Sequence, residues 1–320
     1  MSNEKSFNFV KQVKGAIQQA HETGQLPETK NDVLDGFSGD SIVGCLQRLT
    51  KIVSARNDSC YLEIGVLQGF TLLSIALANP DVPCFGIDDF SLFNEGKKNF
   101  EIVRERQRKL GITNAHILNM DFEEALDNLE QHIQEKKIGV LFVDGPHDYR
   151  SQLISLLKAK RSLADSAVIV VDDANYAHVR QANADFLASE LDFALLFEAY
   201  TPLHPANMTP RVKEKARKGW WNGVNVLMKD RERRVVRSFP PTGERERFFA
   251  SHDVFRHEFA ETAIEALRYG SALVDGTESE EKKRRKLLKE RLLSERQRHP
   301  GRFPFYNTES KGLPDFKLHL

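Results

Sequence analysis

Two short runs in this 320-residue chain end in acid: Val143-Asp144-Gly145-Pro146-His147-Asp148-Tyr149 and Val171-Asp172-Asp173-Ala174-Asn175. Each follows a continuous apolar stretch, GVLFV at 139–143 and AVIVV at 167–171, of the kind that forms a central strand buried on both faces. Acid at the carboxyl end of such strands falls where open α/β sheets hold their ligands, beside the switch in strand order. Asp144, Asp172 and Asp173 are therefore expected to converge on one pocket. Carboxylates crowded in a partly dry cleft repel one another and take up protons unless a cation sits among them. A hard oxygen donor set completed by water suits Mg²⁺ or another small divalent ion. His147 stands close enough in sequence to take a proton from a hydroxyl whose alkoxide such an ion would stabilise. A loop histidine bound to backbone, and aspartates that merely cap helices, are the plainer readings of the same residues.

A third feature lies upstream, CYLEIGVLQGFTLLSIALANPDVPCFGIDD at 60–89. It reads as two buried strands joined by a glycine turn and a helix, with Asp88 and Asp89 closing the second strand. Glycine at Gly65 and Gly69 allows close approach to backbone, and the helix that follows offers unpaired N–H groups. A carboxylate about 20 residues on suits a ribose diol, with Asp88 the first choice and Asp89 the second. A dinucleotide fingerprint starting at Gly65 would need glycine at Leu67 and Phe70, so the spacing disfavours an NAD-linked oxidoreductase.

The pattern Glu63, Gly65, Gly69 resembles the first motif of class I S-adenosylmethionine-dependent methyltransferases in its E-x-G-x-x-x-G form. The two acid-ended runs sharpen that resemblance to methyltransferase family 24 and to metal-dependent O-methyltransferases of sugars and other natural products. It covers residues 58–175 well and 175–230 loosely. The resemblance implies S-adenosylmethionine as cofactor, held by Glu63, Gly65, Gly69, Asp88, Asp121 and Asp144. It also implies a divalent cation on Asp144, Asp172 and Asp173, with His147 as base and Asp144 beside it in catalysis. Helix capping explains Asp121 equally well.

These residues need a scaffold, and strand and helix signals supply one. Strands are expected near 60–66, 82–88, 115–120, 138–144, 166–172, 193–200 and 223–229, with helices at 70–78, 94–110, 122–136 and 149–163. Such alternation predicts an α/β fold, a seven-stranded, mostly parallel Rossmann-like sheet covered by helices on both faces. The resemblance implies that the last strand is antiparallel. Residues 1–57 read as a helical cap, with helices at about 7–23 and 40–55, residues 58–230 as the main domain, and 231–320 as a charged helical extension. That extension has helical patterning at 252–273 and an amphipathic stretch at 278–298. The segment 201–222, rich in Pro, Lys and Arg, reads as an unstructured lid or insertion, where Trp220-Trp221 could stack on a substrate or pack beneath a loop.

Composition excludes little. Forty-six basic and 46 acidic side chains cancel, so no overall field favours nucleic acid or an anionic membrane, and neither is expected as a partner. Cys45, Cys60 and Cys84 are too few for a disulfide framework and read as reduced core residues. No apolar run approaches the roughly 18 residues of a membrane span, and the amino terminus lacks an apolar leader, so a cytoplasmic protein is expected. The leading expectation is O-methylation of a small hydroxylated substrate. A metal-independent N- or carboxyl-methyltransferase, or a scaffold that keeps the fold without catalysis, stays open, as does homo-oligomerisation.

Overall fold

The computed structural model describes residues 2–55, 58–91, 98–242, scattered positions between 282 and 290, and 312–319. After the amino-terminal helices α1 (Ser2–Thr23) and α2 (Asp40–Ser54), the chain alternates: β1 (Ser59–Ile64), α3 (Phe70–Ala78), β2 (Cys84–Ile87), α4 (Asn99–Lys109), β3 (Ala115–Leu118). It continues through α5 (Phe122–Asp127), α6 (Leu129–Ile133), β4 (Lys137–Val143), α7 (Tyr149–Ala159), β5 (Leu163–Asp172), α8 (Ala177–Ser189) and β6 (Phe193–Ala199). The last described elements are α9 (Pro210–Lys218), β7 (Val224–Lys229) and β8 (Lys317–Leu318).

The strands form one sheet in the order β3-β2-β1-β4-β5-β7-β6-β8. β1 pairs in parallel with both β2 and β4, so chain progression reverses direction there, the switch point beside whose strand carboxyl ends open α/β sheets hold ligands. β7 runs antiparallel to β5 and β6, as the resemblance implies. Alternate side chains of each central strand enter opposite cores. Tyr61, Val140, Phe142, Val168 and Val170 pack with α1, α2 and α3, while Leu62, Leu141, Val143, Ile169 and Val171 face the layer of α5 to α8. The three cysteines are free and buried. No described helix is long and apolar enough to cross a membrane.

Four differences from the sequence expectation have physical causes. The sheet has eight strands among the described residues rather than seven, because 317–318 returns to pair with β6. The expected helix at 122–136 is two helices, divided at Asn128. Helix α8, unassigned from sequence, buries Arg180, Gln181 and Asn183, which interrupts the apolar periodicity that would have marked it. Helix α9 begins at Pro210 inside the segment expected to be unstructured; it buries only Ala216 and so has no apolar stripe to read. The helical expectations at 252–273 and 278–298 lie outside the described residues, except for helical positions between 282 and 290.

A buried polar chain ties these late elements together. Gln152 Nε2 donates to Asn183 Oδ1 (3.1 Å), Asn183 Nδ2 to Asn225 Oδ1 (2.9 Å), Asn225 Nδ2 to the Tyr200 hydroxyl (3.0 Å), and Tyr200 to Glu198 Oε2 (2.8 Å). Glu198 Oε1 then meets Lys317 Nζ at 2.9 Å and His319 Nε2 at 3.1 Å. His319 Nδ1 lies 2.8 Å from Ser238 Oγ. The carboxyl-terminal strand is thus held by side chains as well as by its ladder.

Candidate active site

The glycine turn after β1 is shaped by its neighbours before any ligand is considered. Gly65 has φ +93°, and a Cβ there would sit 2.0 Å from the Asp144 carbonyl oxygen, so glycine lets the end of β1 lie against the end of β4. Gly69, at φ +78°, starts α3. Glu63 is fully buried beneath this turn. Its oxygens accept from the Tyr61 hydroxyl (2.6 Å), the Thr71 hydroxyl (2.6 Å) and the Leu72 N–H. It therefore fastens the first turn of α3 to β1, and its effect on the crevice is to position the turn.

Burial pushes the Glu63 carboxyl up to about 8, against the pull of these donors. Since the folded pKa lies above the unfolded value of 4.5, the folded state holds a proton that the unfolded chain has lost. Stability conferred by this group is complete below about 4.5 and declines as pH rises toward about 8. Glu63→Gln should flatten that decline. Thermal melts from pH 4 to 9 with the same slope as the parent would reject the assignment.

Asp88 closes the turn from the other side. Its Oδ2 accepts from the Val66 and Leu67 N–H groups (2.8 and 2.7 Å), and Oδ1 accepts from Phe90 N–H (2.6 Å). The carboxylate stands beside the glycine turn, where the sequence reading puts it. Asp89 is exposed and binds Ser91 through both N–H and hydroxyl. Asp121 is exposed too, and caps α5 by accepting from the Glu123 and Glu124 N–H groups.

Of the expected trio Asp144, Asp172 and Asp173, the described donor cluster holds Asp144 and Asp173, with His147 in place of Asp172. Donor atoms of Asp144, His147 and Asp173 all lie within 4.8 Å of one another. Asp172, only 3% exposed, turns Oδ1 onto the Asp173 N–H at 2.8 Å, just behind that group. Asp173 adopts φ +55°, a left-handed conformation that aspartate tolerates better than most residues and that aims its carboxylate sideways. Its Oδ2 meets His147 Nε2 at 2.7 Å, and its Oδ1 accepts from Asn222 Nδ2.

Electrostatics sort these groups. Burial, then the charges of Asp172 and Asp173, and more weakly Glu63 and Asp88, hold the Asp144 carboxyl well above the usual range. Burial and Asp173 do the same to Asp172. Asp173 goes the other way: burial raises it, but His147, Asn222 and His204 together outweigh that and leave it low. Burial pulls the His147 imidazole down, yet Asp173, with Asp172 and Asp148, more than compensates and the net direction is up. The site is therefore one ion pair, His147 with Asp173, beside two acids that resist ionisation.

Sequence reasoning missed the wall around it. Tyr176 stacks on His147 (centroids 5.6 Å, 15° between planes) and on His178 (5.4 Å), and lies 5.8 Å from His204. Burial brings both His178 and His204 down to about 4. Asn222 and His204 belong to the two ends of the 201–222 segment, and proximity to strand ends in space, not sequence, was the missing signal. Trp220 and Trp221 are buried; Trp220 Nε1 donates to His21 Nδ1 (3.1 Å) and its ring packs on Phe197 (4.8 Å), so the pair anchors α1 to the sheet. Residues 35 and 36 lie beside the glycine turn: Arg106 Nη1 donates to both Asp35 O (2.9 Å) and Gln68 O (2.8 Å), and Gly36 packs on Phe70.

Part of the chain is similar to known methyltransferases. Residues 62–174 match a family described as a methyltransferase domain. Caffeoyl-CoA O-methyltransferase 2 of Eucalyptus globulus is 36% identical over 123 residues, 35% of this chain and 45% of the relative. Caffeoyl-CoA O-methyltransferase 5 of Nicotiana tabacum is 30% identical over 164 residues, 47% of this chain and 64% of the relative. The chain spans about half to two thirds of the length of such relatives. The O-methyltransferase TomG from Streptomyces achromogenes, solved in complex with SAM, aligns at 16% identity over 68% of this chain and 89% of its own, with a TM-score of 0.42.

Proposed function

We propose, for a chain whose residues 62–174 match a methyltransferase domain family, that it is a class I enzyme that transfers the methyl group of S-adenosylmethionine to a hydroxyl of a small molecule with the help of a divalent cation. The observation that carries the reading is the meeting of the Asp88-closed glycine turn and the Asp144–His147–Asp173 cluster at one end of one sheet.

The residues divide the work by position. Gly65 and Gly69 let the turn pack closely against Asp144, Val103 and Leu73, with Glu63 holding it to α3 and Asp88 offering a carboxylate to a ribose diol. The sulfonium brings its own activation, so the chain's main task is to align oxygen, carbon and sulfur and to exclude water. His147, held by Asp173 and stacked on Tyr176, is placed to receive the hydroxyl proton once a cation on the neighbouring carboxylates has shifted it to its neutral form. Asp144, Asp173 and the adjoining Asp172 fit a divalent ion, since carboxyls that take up protons when crowded are those a cation would relieve. Such an ion, when bound, stabilises the negative charge that develops on the acceptor oxygen. A cytoplasmic location belongs to the same proposal, supported by the reduced state of three buried cysteines.

Two measurements test this. Calorimetry should show S-adenosylhomocysteine binding to the folded chain; a silent titration favours a scaffold that has kept only the fold. Mg²⁺ or Mn²⁺ should raise the melting temperature, by the equivalent of about 2.7 kcal/mol at a hundredfold excess over Kd. The gain should shrink as pH falls and protons compete for Asp144 and Asp172. An Asp144→Asn variant that retains the full gain would remove Asp144 from the cation site.

A further inference from the structure

The connection between β6 and β7 ends in an asparagine whose amide is only half used. Asn222 is fully buried, and its Nδ2 donates to Asp173 Oδ1. A carboxylate paired with His147 offers acceptors and no donor, so the end of the amide that meets Asp173 is the nitrogen. The other end, Oδ1, is buried and has no hydrogen-bond partner among the described residues. Burial of an acceptor without a donor is costly, and native structures keep few such atoms.

The other fully buried asparagines of this part of the chain serve structure alone, and their amides are used at both ends. Asn175 accepts from the Thr201 N–H (3.1 Å) and donates to the Thr201 hydroxyl (2.7 Å). Asn183 accepts from Gln152 and donates to Asn225, which in turn donates to Tyr200. Asn222 differs at the one end that is not needed to hold Asp173.

Its place is fixed by the backbone. The Ala174 N–H donates to Gly223 O (3.1 Å) and the Asn175 N–H to Asn222 O (3.0 Å), which clips the segment onto the residues that follow β5. Trp221, buried next to it, takes a left-handed backbone (φ +46°), a conformation that a bulky residue keeps only where its surroundings impose it. The two heteroatoms of an amide lie about 2.3 Å apart, so Oδ1 stands within about 5 Å of the Asp173 carboxylate. The chain thus holds a neutral oxygen, bare of donors, at the edge of the Asp144–His147–Asp173 group. Hard divalent cations take carbonyl oxygens as well as carboxylates, and a neutral oxygen adds a ligand without adding to the repulsion among the acids.

We infer that Asn222 is a ligand of the divalent cation, supplying Oδ1 to the ion while Nδ2 keeps the Asp173 carboxylate in place. This rests on the cation-assisted reading proposed above and extends the site from the strand-end acids to the segment that leads into β7.

An amide oxygen on the ion takes the place of a water molecule, which gives a readout independent of catalysis. Mn²⁺ is titrated into the full chain, Asn222→Ala, Asn222→Asp and a control, Lys213→Ala, which removes an exposed lysine. Electron paramagnetic resonance separates bound from free Mn²⁺, the waters on the bound ion are counted in deuterated solvent, and melting without cation checks that each variant is folded. Asn222→Ala should bind Mn²⁺ about 10- to 100-fold more weakly than the parent and the control, with one more water on the ion. Asn222→Asp keeps an oxygen at that position, so it should carry the parental number of waters. Because it adds an acid, Mn²⁺ should raise its melting temperature by more than the parent's, a result that stands even if the alanine variant does not fold. Unchanged affinity in Asn222→Ala overturns the inference, as does weaker binding with no extra water, which would leave Asn222 a positioning residue for Asp173. An extra water in Asn222→Asp, or no larger gain in its melting temperature, overturns it too. A parent that binds no Mn²⁺ overturns the cation-assisted reading itself, and the inference falls with it.

Discussion

Asp173→Ala is expected to lower methyl transfer by about 10²- to 10³-fold, the scale typical of removing one preorganised electrostatic group at a reacting centre. Asp173 contacts both His147 and Asn222, and it supplies one of three clustered donor atoms. Without it the imidazole loses its orienting partner, and the two remaining carboxyls still resist ionisation. The glycine turn does not touch Asp173, so S-adenosylhomocysteine affinity should stay within a few-fold of the parent. That split separates loss of chemistry from loss of fold.

The same variant has a pH signature. Asp173 has a depressed folded pKa, so its contribution to stability is present above its unfolded value and lost as pH falls through the folded one. His147 is raised, so its contribution is full below its unfolded value of 6.5 and lost as pH rises through the folded one. The pair is therefore most stabilising between those limits. In Asp173→Ala the alkaline loss belonging to His147 should disappear from the melting profile. A variant with parental activity, or with the parental alkaline slope, would dismiss the ion pair as the centre of the site.

Deleting residues 312–320 should destabilise the domain by about 3–5 kcal/mol, the cost of leaving one member of a buried ion pair alone. Glu198 is 1% exposed, and its low pKa depends on His319, Lys317 and Tyr200, which together overcome its burial. Removing the strand takes away the first two. It also uncovers the outer edge of β6, whose unpaired N–H and C=O groups become a template for aggregation. The melting temperature should fall by on the order of 10 °C for a domain of this size, with less soluble protein. Glu198→Gln placed in the shortened chain should recover part of the loss, because a neutral amide costs less to leave buried. A shortened chain that melts with the parent would show that β8 is not integral to the sheet.

Much of the fold was legible because its signals are local. The runs at 139–143 and 167–171 have no polar residue to offer water, so they could only be central strands, and α3 occupies the expected 70–78. The elements that escaped have stabilising partners distant in sequence. Helix α8 buries Asn183 because Gln152 and Asn225 satisfy it, 31 and 42 residues away. Strand β8 is two residues long and exists because Glu198, more than a hundred residues earlier, awaits its cations.

The candidate site divides along the same line. Residue types at the ends of β1, β2, β4 and β5 determined by themselves that acids and a glycine turn would stand at one end of the sheet, since the ends of parallel strands lie together there. Tertiary structure alone decided how each acid is used. Glu63 is enclosed by Tyr61 and Thr71, Asp121 is turned to its own helix, and Asp173 rather than Asp172 faces His147. It also brought Asn222 and His204, from the two ends of the 201–222 segment, to Asp173 and Tyr176. A carboxylate's role depends on which donors lie within about 3 Å of it, and that distance is set by packing between segments that the sequence keeps far apart.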